Sequence, residues 1–125
     1  MTETIGVIGL GSMGYGMACS VLKAGHITHG FDVNDAQVSK FIAEGGATGA
    51  LNDVIPKLDA AMIVVLNAAQ TETALFGTTG IVSNMRKGSV VIACATVAPD
   101  FARKMAAKTA EYGIHYLDAP ISGGS

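Results

Sequence analysis

Thr4-Ile-Gly-Val-Ile-Gly-Leu-Gly-Ser-Met-Gly14 decides how this chain folds. Ile5, Val7 and Ile8 make a short apolar run of strand-forming residues that ends in Gly9-Leu10-Gly11-Ser12-Met13-Gly14, a G-x-G-x-x-G. A helical period starts at once, with Met13, Met17 and Val21 four apart and Leu22 beside them, and it stops at Gly25. Strand, glycine turn, helix is the context in which such a motif binds a dinucleotide. Gly9 would allow the tight turn, Gly11 the close approach of backbone to a pyrophosphate, and Gly14 the packing of helix on strand. The pyrophosphate would then face free N–H groups and the positive end of the helix dipole.

The motif alone is a weak signal, and its surroundings strengthen it. Thr28–Phe31 reads as a second strand closing on Asp32, eighteen residues past Gly14 (32 − 14). A carboxylate at that place accepts hydrogen bonds from the adenosine ribose hydroxyls. The loop Asp32-Val33-Asn34-Asp35 must also open the next helix, and the two tasks divide: Asp32 for the ribose, Asn34 or Asp35 for the cap. A phosphate-gripping P-loop is excluded, because Tyr15-Gly16 stands where its Lys-Ser/Thr pair is needed. A methyltransferase loop is disfavoured, since Val7 and Ile8 place no acid ahead of the glycines.

With 125 residues, the chain is long enough for one domain with a real core. Half of the residues are hydrophobic, 14% are charged and 16 are glycine, the profile of a buried parallel sheet with many tight turns. So little charge also suggests that part of the apolar surface is meant to be covered. The net charge of −2 and the lack of a basic cluster argue against a nucleic-acid partner. No apolar run reaches membrane-spanning length and no stretch resembles a signal peptide, so a cytoplasmic setting is expected. Cys19 and Cys94 form no disulfide or metal pattern and read as reduced thiols in or near the core.

Beyond Asp32 the chain alternates helix and strand. Helices are expected over Ala36–Glu44, Thr71–Phe76 and Asp100–Tyr112, with Pro99 in the first turn of the last. A helix start is expected at Leu51, and a short helical piece over Ile81–Met85. Ala61–Leu66, Ser89–Cys94 and Ile114–Leu117 read as further strands, the first two apolar throughout as in a central parallel sheet. The alternation specifies an α/β, Rossmann-type doubly wound parallel sheet with right-handed crossovers. Ligands bind such sheets outside the carboxyl ends of the strands, where the loops after Ile8, Phe31, Leu66, Cys94 and Leu117 converge.

Four segments in this order resemble the β-hydroxyacid dehydrogenase family, which includes 3-hydroxyisobutyrate, tartronate semialdehyde, 6-phosphogluconate and L-threonate dehydrogenases. They are Gly9–Gly14 with Met17-Ala18, Asn67-Ala-Ala-Gln70, Gly88–Thr96, and Asp118-Ala-Pro-Ile-Ser-Gly-Gly124. The resemblance covers essentially the whole chain, and Asn67-Ala-Ala-Gln70 is most similar to the threonate branch. It implies that Gly9, Leu10, Gly11, Ser12, Met13 and Gly14 hold the pyrophosphate, and Asp32, Val33 and Asn34 the adenosine end. Leu66, Asn67 and Thr71 would line the cofactor's path, and Thr96 would sit near the nicotinamide. Ser122, Gly123 and Gly124 would bind the substrate carboxylate or hydroxyls, consistent with the concave anion site that exposed N–H groups of a Gly-Gly turn make. Asp32-Val-Asn-Asp35 carries a carboxylate that would repel a 2′-phosphate, so NAD is favoured over NADP.

The resemblance also implies a general acid/base lysine on a helix well beyond Ser-Gly-Gly, and so beyond Ser125. None of the six lysines present (23, 40, 57, 87, 104 and 108) is placed to stand in for it. Residues 1–125 therefore read as the amino-terminal cofactor-binding domain, ending before a helical second domain that completes the substrate pocket and a homodimer or homotetramer. The expected function is hydride transfer between NAD and a small hydroxycarboxylic acid, with no catalytic residue and no turnover in these residues alone. A non-catalytic, redox-sensing dinucleotide module is the alternative, and an imine reductase a nearer one; the Ser122-Gly123-Gly124 motif speaks for the hydroxyacid. The three histidines lack ligand spacing, Cys94 has no base beside it in sequence, and Ser122 has no nucleophile elbow around it.

Overall fold

The computed structural model describes residues 2–121. Five strands, β1 (Thr4–Ile8), β2 (Ile27–Phe31), β3 (Ala60–Ile63), β4 (Val90–Ala93) and β5 (His115–Asp118), form one sheet in the order β2-β1-β3-β4-β5. Every pair in it is parallel. Five helices connect them: α1 (Ser12–Lys23), α2 (Asp35–Ala43), the single turn α3 (Leu51–Val54), α4 (Ala68–Phe76) and α5 (Pro99–Ala110). This is the doubly wound Rossmann-type arrangement that the alternation specifies.

The helices divide between the two faces because the sheet grows in both directions from β1. Val7 and Leu10 pack with Ala18 of α1 and Phe41 of α2 on one face. Ala61, Ile63 and Val91 pack on the other with Val54, Leu75 of α4 and Met105 of α5. Right-handed crossovers produce this split whenever the strand order reverses. Outside β2, Ala47 adds a single parallel bridge to His29, its N–H donating to the Thr28 carbonyl at 2.8 Å. That bridge turns the chain back across the sheet, and it leaves the reversal of strand order between β1 and β3. At β5 the face carrying His115 and Leu117 is exposed, and Leu117 is 53% accessible.

Most expected boundaries shift by one or two residues, and two move by three. β3 ends at Ile63 rather than Leu66, since its register partner Ile8 is the last residue of β1 before Gly9 turns away. Val64 makes the final bond, its N–H donating to the Ile8 carbonyl at 2.8 Å. α4 starts at Ala68 rather than Thr71, because the Asn67 side chain accepts from the Gln70 N–H at 2.9 Å and caps the helix three residues early.

His29 is the one histidine buried in the sheet. It stacks on Phe31 with ring centroids 6.2 Å apart, and its Nδ1 has no partner among the described residues. Burial, and then the Lys57 charge, hold its pKa below the ordinary 6.5. The unfolded chain therefore takes up this proton at a pH where the folded chain does not. The His29 share of stability is complete above about pH 6.5 and is lost as pH falls through the lower folded value. We expect the urea midpoint to fall on acidification through this window, and His29→Gln to flatten that fall. Identical pH profiles for the two proteins would show that His29 carries none of it.

Candidate functional site

The glycine loop is built by contacts in which side chains have no room. Gly9 has φ +102°, a conformation suited to glycine, and its N–H donates to the Phe31 carbonyl at 2.8 Å, joining the ends of β1 and β2. A Cβ on Gly9 would lie less than 3.0 Å from the Val64 carbonyl oxygen, and one on Gly14 less than 3.0 Å from the Gly9 carbonyl oxygen. The first glycine thus fits against β3 and the third lets α1 sit on the loop. Gly11 differs: a Cβ there would meet nothing within 4 Å. Its outer side is open.

Gly11 is the N-cap of α1, no side chain caps the helix, and its first turn holds no acid. The early N–H groups of α1 therefore keep their capacity for an anion. Ser12 and Met13 are exposed beside them. Leu10 is completely buried, and its backbone N–H donates to Asp32 Oδ2 at 2.6 Å. Asp32 Oδ1 accepts from the Asn34 N–H at 2.8 Å. One carboxylate thus ties the glycine loop to the loop after β2, and each oxygen retains a lone pair for a further donor.

The remaining residues singled out in the sequence take several roles. Asn34 is the N-cap of α2, its side chain accepting from the Ala36 N–H at 3.0 Å, while Val33 beside it is fully exposed. Leu66 is 85% accessible, and its N–H donates to Gln70 Oε1 at 2.8 Å. Asn67 is spent on capping α4. Thr71 is buried, and its hydroxyl donates to the Asn67 carbonyl at 2.9 Å, so it braces that cap. Thr96 is exposed on the loop after β4. No described hydrogen bond joins Thr96 to the glycine loop. Ser122, Gly123 and Gly124, the expected substrate contacts, lie outside the described residues. So does Ser125, the position past which the resemblance puts the general acid/base lysine.

Two contacts escape a reading of the sequence. Gln37 Nε2 donates to the Leu10 carbonyl at 2.6 Å, and Gln70 braces Leu66 as above. Gln70 at least stands in a motif; Gln37 carries no local signal apart from its place three residues after a helix cap. Behind the loop, the Tyr15 hydroxyl donates to Glu44 at 2.6 Å and the Cys19 thiol to the same oxygen at 3.4 Å, linking α1 to the end of α2. Partial burial and the Glu44 carboxylate push Tyr15 up to about 12 and raise Cys19 as well. Burial raises Cys94. A raised pKa disfavours the thiolate, which makes both thiols poor nucleophiles.

No group of three or more His, Cys, Asp or Glu side chains among the described residues could hold a metal ion. Nor is any described helix long and apolar enough to cross a membrane.

The family described as the NAD binding domain of 6-phosphogluconate dehydrogenase matches residues 4–125. L-threonate dehydrogenase of Cupriavidus necator is 43% identical over 100% of this chain and 42% of its own length. 3-Hydroxyisobutyrate dehydrogenase of Pseudomonas aeruginosa is 39% identical over 99% of this chain and 42% of its own. The crystal structure of 3-hydroxyisobutyrate dehydrogenase from Salmonella typhimurium superimposes with a TM-score of 0.90 at 39% identity, covering 98% of this chain and 43% of that one. The chain thus spans less than half the length of these relatives.

Proposed function

Because the chain belongs to the family of NAD-binding domains described for 6-phosphogluconate dehydrogenase, we propose that it is the cofactor domain of a hydroxyacid dehydrogenase that prefers NAD to NADP. It is a dinucleotide-binding domain related to the β-hydroxyacid dehydrogenases. The cradle fits such a cofactor: Gly9 and Gly14 close the loop tightly, whereas Gly11 leaves open the space in front of the α1 N–H groups. The observation that carries the NAD preference is Asp32. Its carboxylate is anchored by Leu10 and Asn34 at the carboxyl end of β2, where it can accept from ribose hydroxyls and repel a 2′-phosphate.

When bound, the nicotinamide accepts or returns a hydride. The residues of this chain bind and orient: the loop and α1 hold the pyrophosphate, Asp32 the ribose, and exposed Val33 offers apolar surface to the adenine. Leu66, on its Gln70 brace, and exposed Thr96 are assigned to the cofactor's path and its nicotinamide end. The proposed substrate is a small hydroxycarboxylic acid of the L-threonate or 3-hydroxyisobutyrate type, met by Ser122, Gly123 and Gly124, in a homodimeric or homotetrameric cytoplasmic enzyme. Proton transfer is assigned to a lysine outside these residues, since Lys108, for one, lies over the Phe76 ring beside Glu72 and faces α4.

Calorimetric titration with both dinucleotides tests the reading. NAD is expected to bind, and NADP about tenfold more weakly or worse, since two like charges held close at a partly exposed site differ by at least that much. Equal affinities would remove the cofactor preference. Binding of neither would remove the site.

A further inference from the structure

Asn34-Asp-Ala-Gln37 has the spacing of a capping box, in which the fourth side chain returns to the N–H of the first. The box is not closed here. Asp32 Oδ1 already accepts the Asn34 N–H, and Gln37 instead reaches across to the Leu10 carbonyl at 2.6 Å. Leu10 is thereby held at three points: its N–H by Asp32, its carbonyl by Gln37, and its side chain by complete burial.

We infer that Gln37 is a positioning residue that aims the Gly11 N–H at the cofactor's pyrophosphate. The Leu10 carbonyl and the Gly11 N–H belong to one planar trans peptide and point in opposite directions. Holding the carbonyl toward α2 turns the N–H away from α2. No described residue accepts that N–H, and the side of Gly11 is open. Without Gln37 the Leu10–Gly11 peptide would be free to rock, because its flanking residue Gly11 has no side chain to restrain it. The amide would then have to be ordered at the moment of binding. The inference rests on reading the glycine loop as the pyrophosphate site, and the experiment separates the two.

The ¹⁵N-labelled chain is titrated with ADP and, separately, with adenosine, alongside Gln37→Met and Gln37→Leu. Both substitutions are neutral, suit a helix and remove only the donor. ADP should bind about tenfold more weakly to the variants, the value of one well-placed hydrogen bond to a charged group, while adenosine affinity stays constant. The ADP-induced shift of the Gly11 amide should shrink with it. Unchanged ADP affinity, or an equal loss for ADP and adenosine, would overturn the role of Gln37 and leave the site standing. Loss of spectral dispersion in both variants would also overturn it, by making Gln37 a residue of general stability. A wild-type chain whose Gly11 amide ignores ADP would refute the pyrophosphate site itself, and the inference with it.

Discussion

Gly14→Ala is expected to cost about 3 kcal/mol or more of folding stability, a large part of what a domain of this size possesses. The added methyl would sit less than 3.0 Å from the Gly9 carbonyl oxygen, with Val64 on its other side. Neither obstacle can swing away: the first is backbone held by the turn, and the second is the Cβ of Val64, fixed to the backbone just past β3. The helix would have to lift from the sheet, opening the packing of its own Ala18 with Leu10. Gly9→Ala should cost as much for a second reason, because it adds the strain of φ +102° to a clash with the Val64 carbonyl. Gly11→Ala is the control. Its Cβ meets nothing and its φ is −64°, so only the weaker N-cap preference of alanine counts, about 1 kcal/mol at most. That same Cβ would stand where the pyrophosphate is proposed to lie. Urea unfolding should therefore rank Gly11→Ala near wild type and the other two far below, while ADP titration should find Gly11→Ala defective. Wild-type stability for Gly14→Ala would refute the close approach of helix to loop.

Asp32→Ala should lower NAD affinity about a hundredfold. The carboxylate is proposed to accept charge-assisted hydrogen bonds from the ribose, each worth about 1.5–3 kcal/mol when lost. Its loss also frees the Leu10 N–H, so the loop it anchors would loosen. NADP should suffer less, since the charge that repels the 2′-phosphate disappears together with the ribose acceptor, and the NAD-to-NADP ratio should move toward unity. Asp32→Asn separates the contributions, because its remaining oxygen can still take the Leu10 N–H while the charge is gone. Parallel losses for NAD and NADP in Asp32→Ala would mean that Asp32 acts on the loop alone. Unaltered NAD affinity would mean that it does not touch the ribose.

Much of the site is legible in local sequence. Spacing alone assigns Gly9, Gly11 and Gly14 a different task each, and the structure separates them in the same way: two without room for a Cβ and one facing open space. The place of Asp32 at the end of β2 marks it out, but its grip on the Leu10 N–H does not show, because a bond spanning 22 positions leaves no periodic trace. Thr71 shows the same limit. Its place just past a strand does not reveal that the helix begins at Ala68, nor that its hydroxyl donates to the Asn67 carbonyl.

The order of elements, the parallel sheet, the glycine turn and a cap for α2 at Asn34 or Asp35 follow from the amino-acid chain without any knowledge of its contacts. Each depends on hydrophobic period, backbone freedom at glycine or short-range capping, all of which act within a few residues. Tertiary structure alone settles where β3 stops, that Ala47 bridges to β2, that His29 is buried without a described partner for Nδ1, and that Gln37 holds the Leu10 carbonyl. These depend on which distant groups the sheet register brings within hydrogen-bonding distance. A strand ends where its neighbour ends, and an amide finds its acceptor only after two loops have been set side by side.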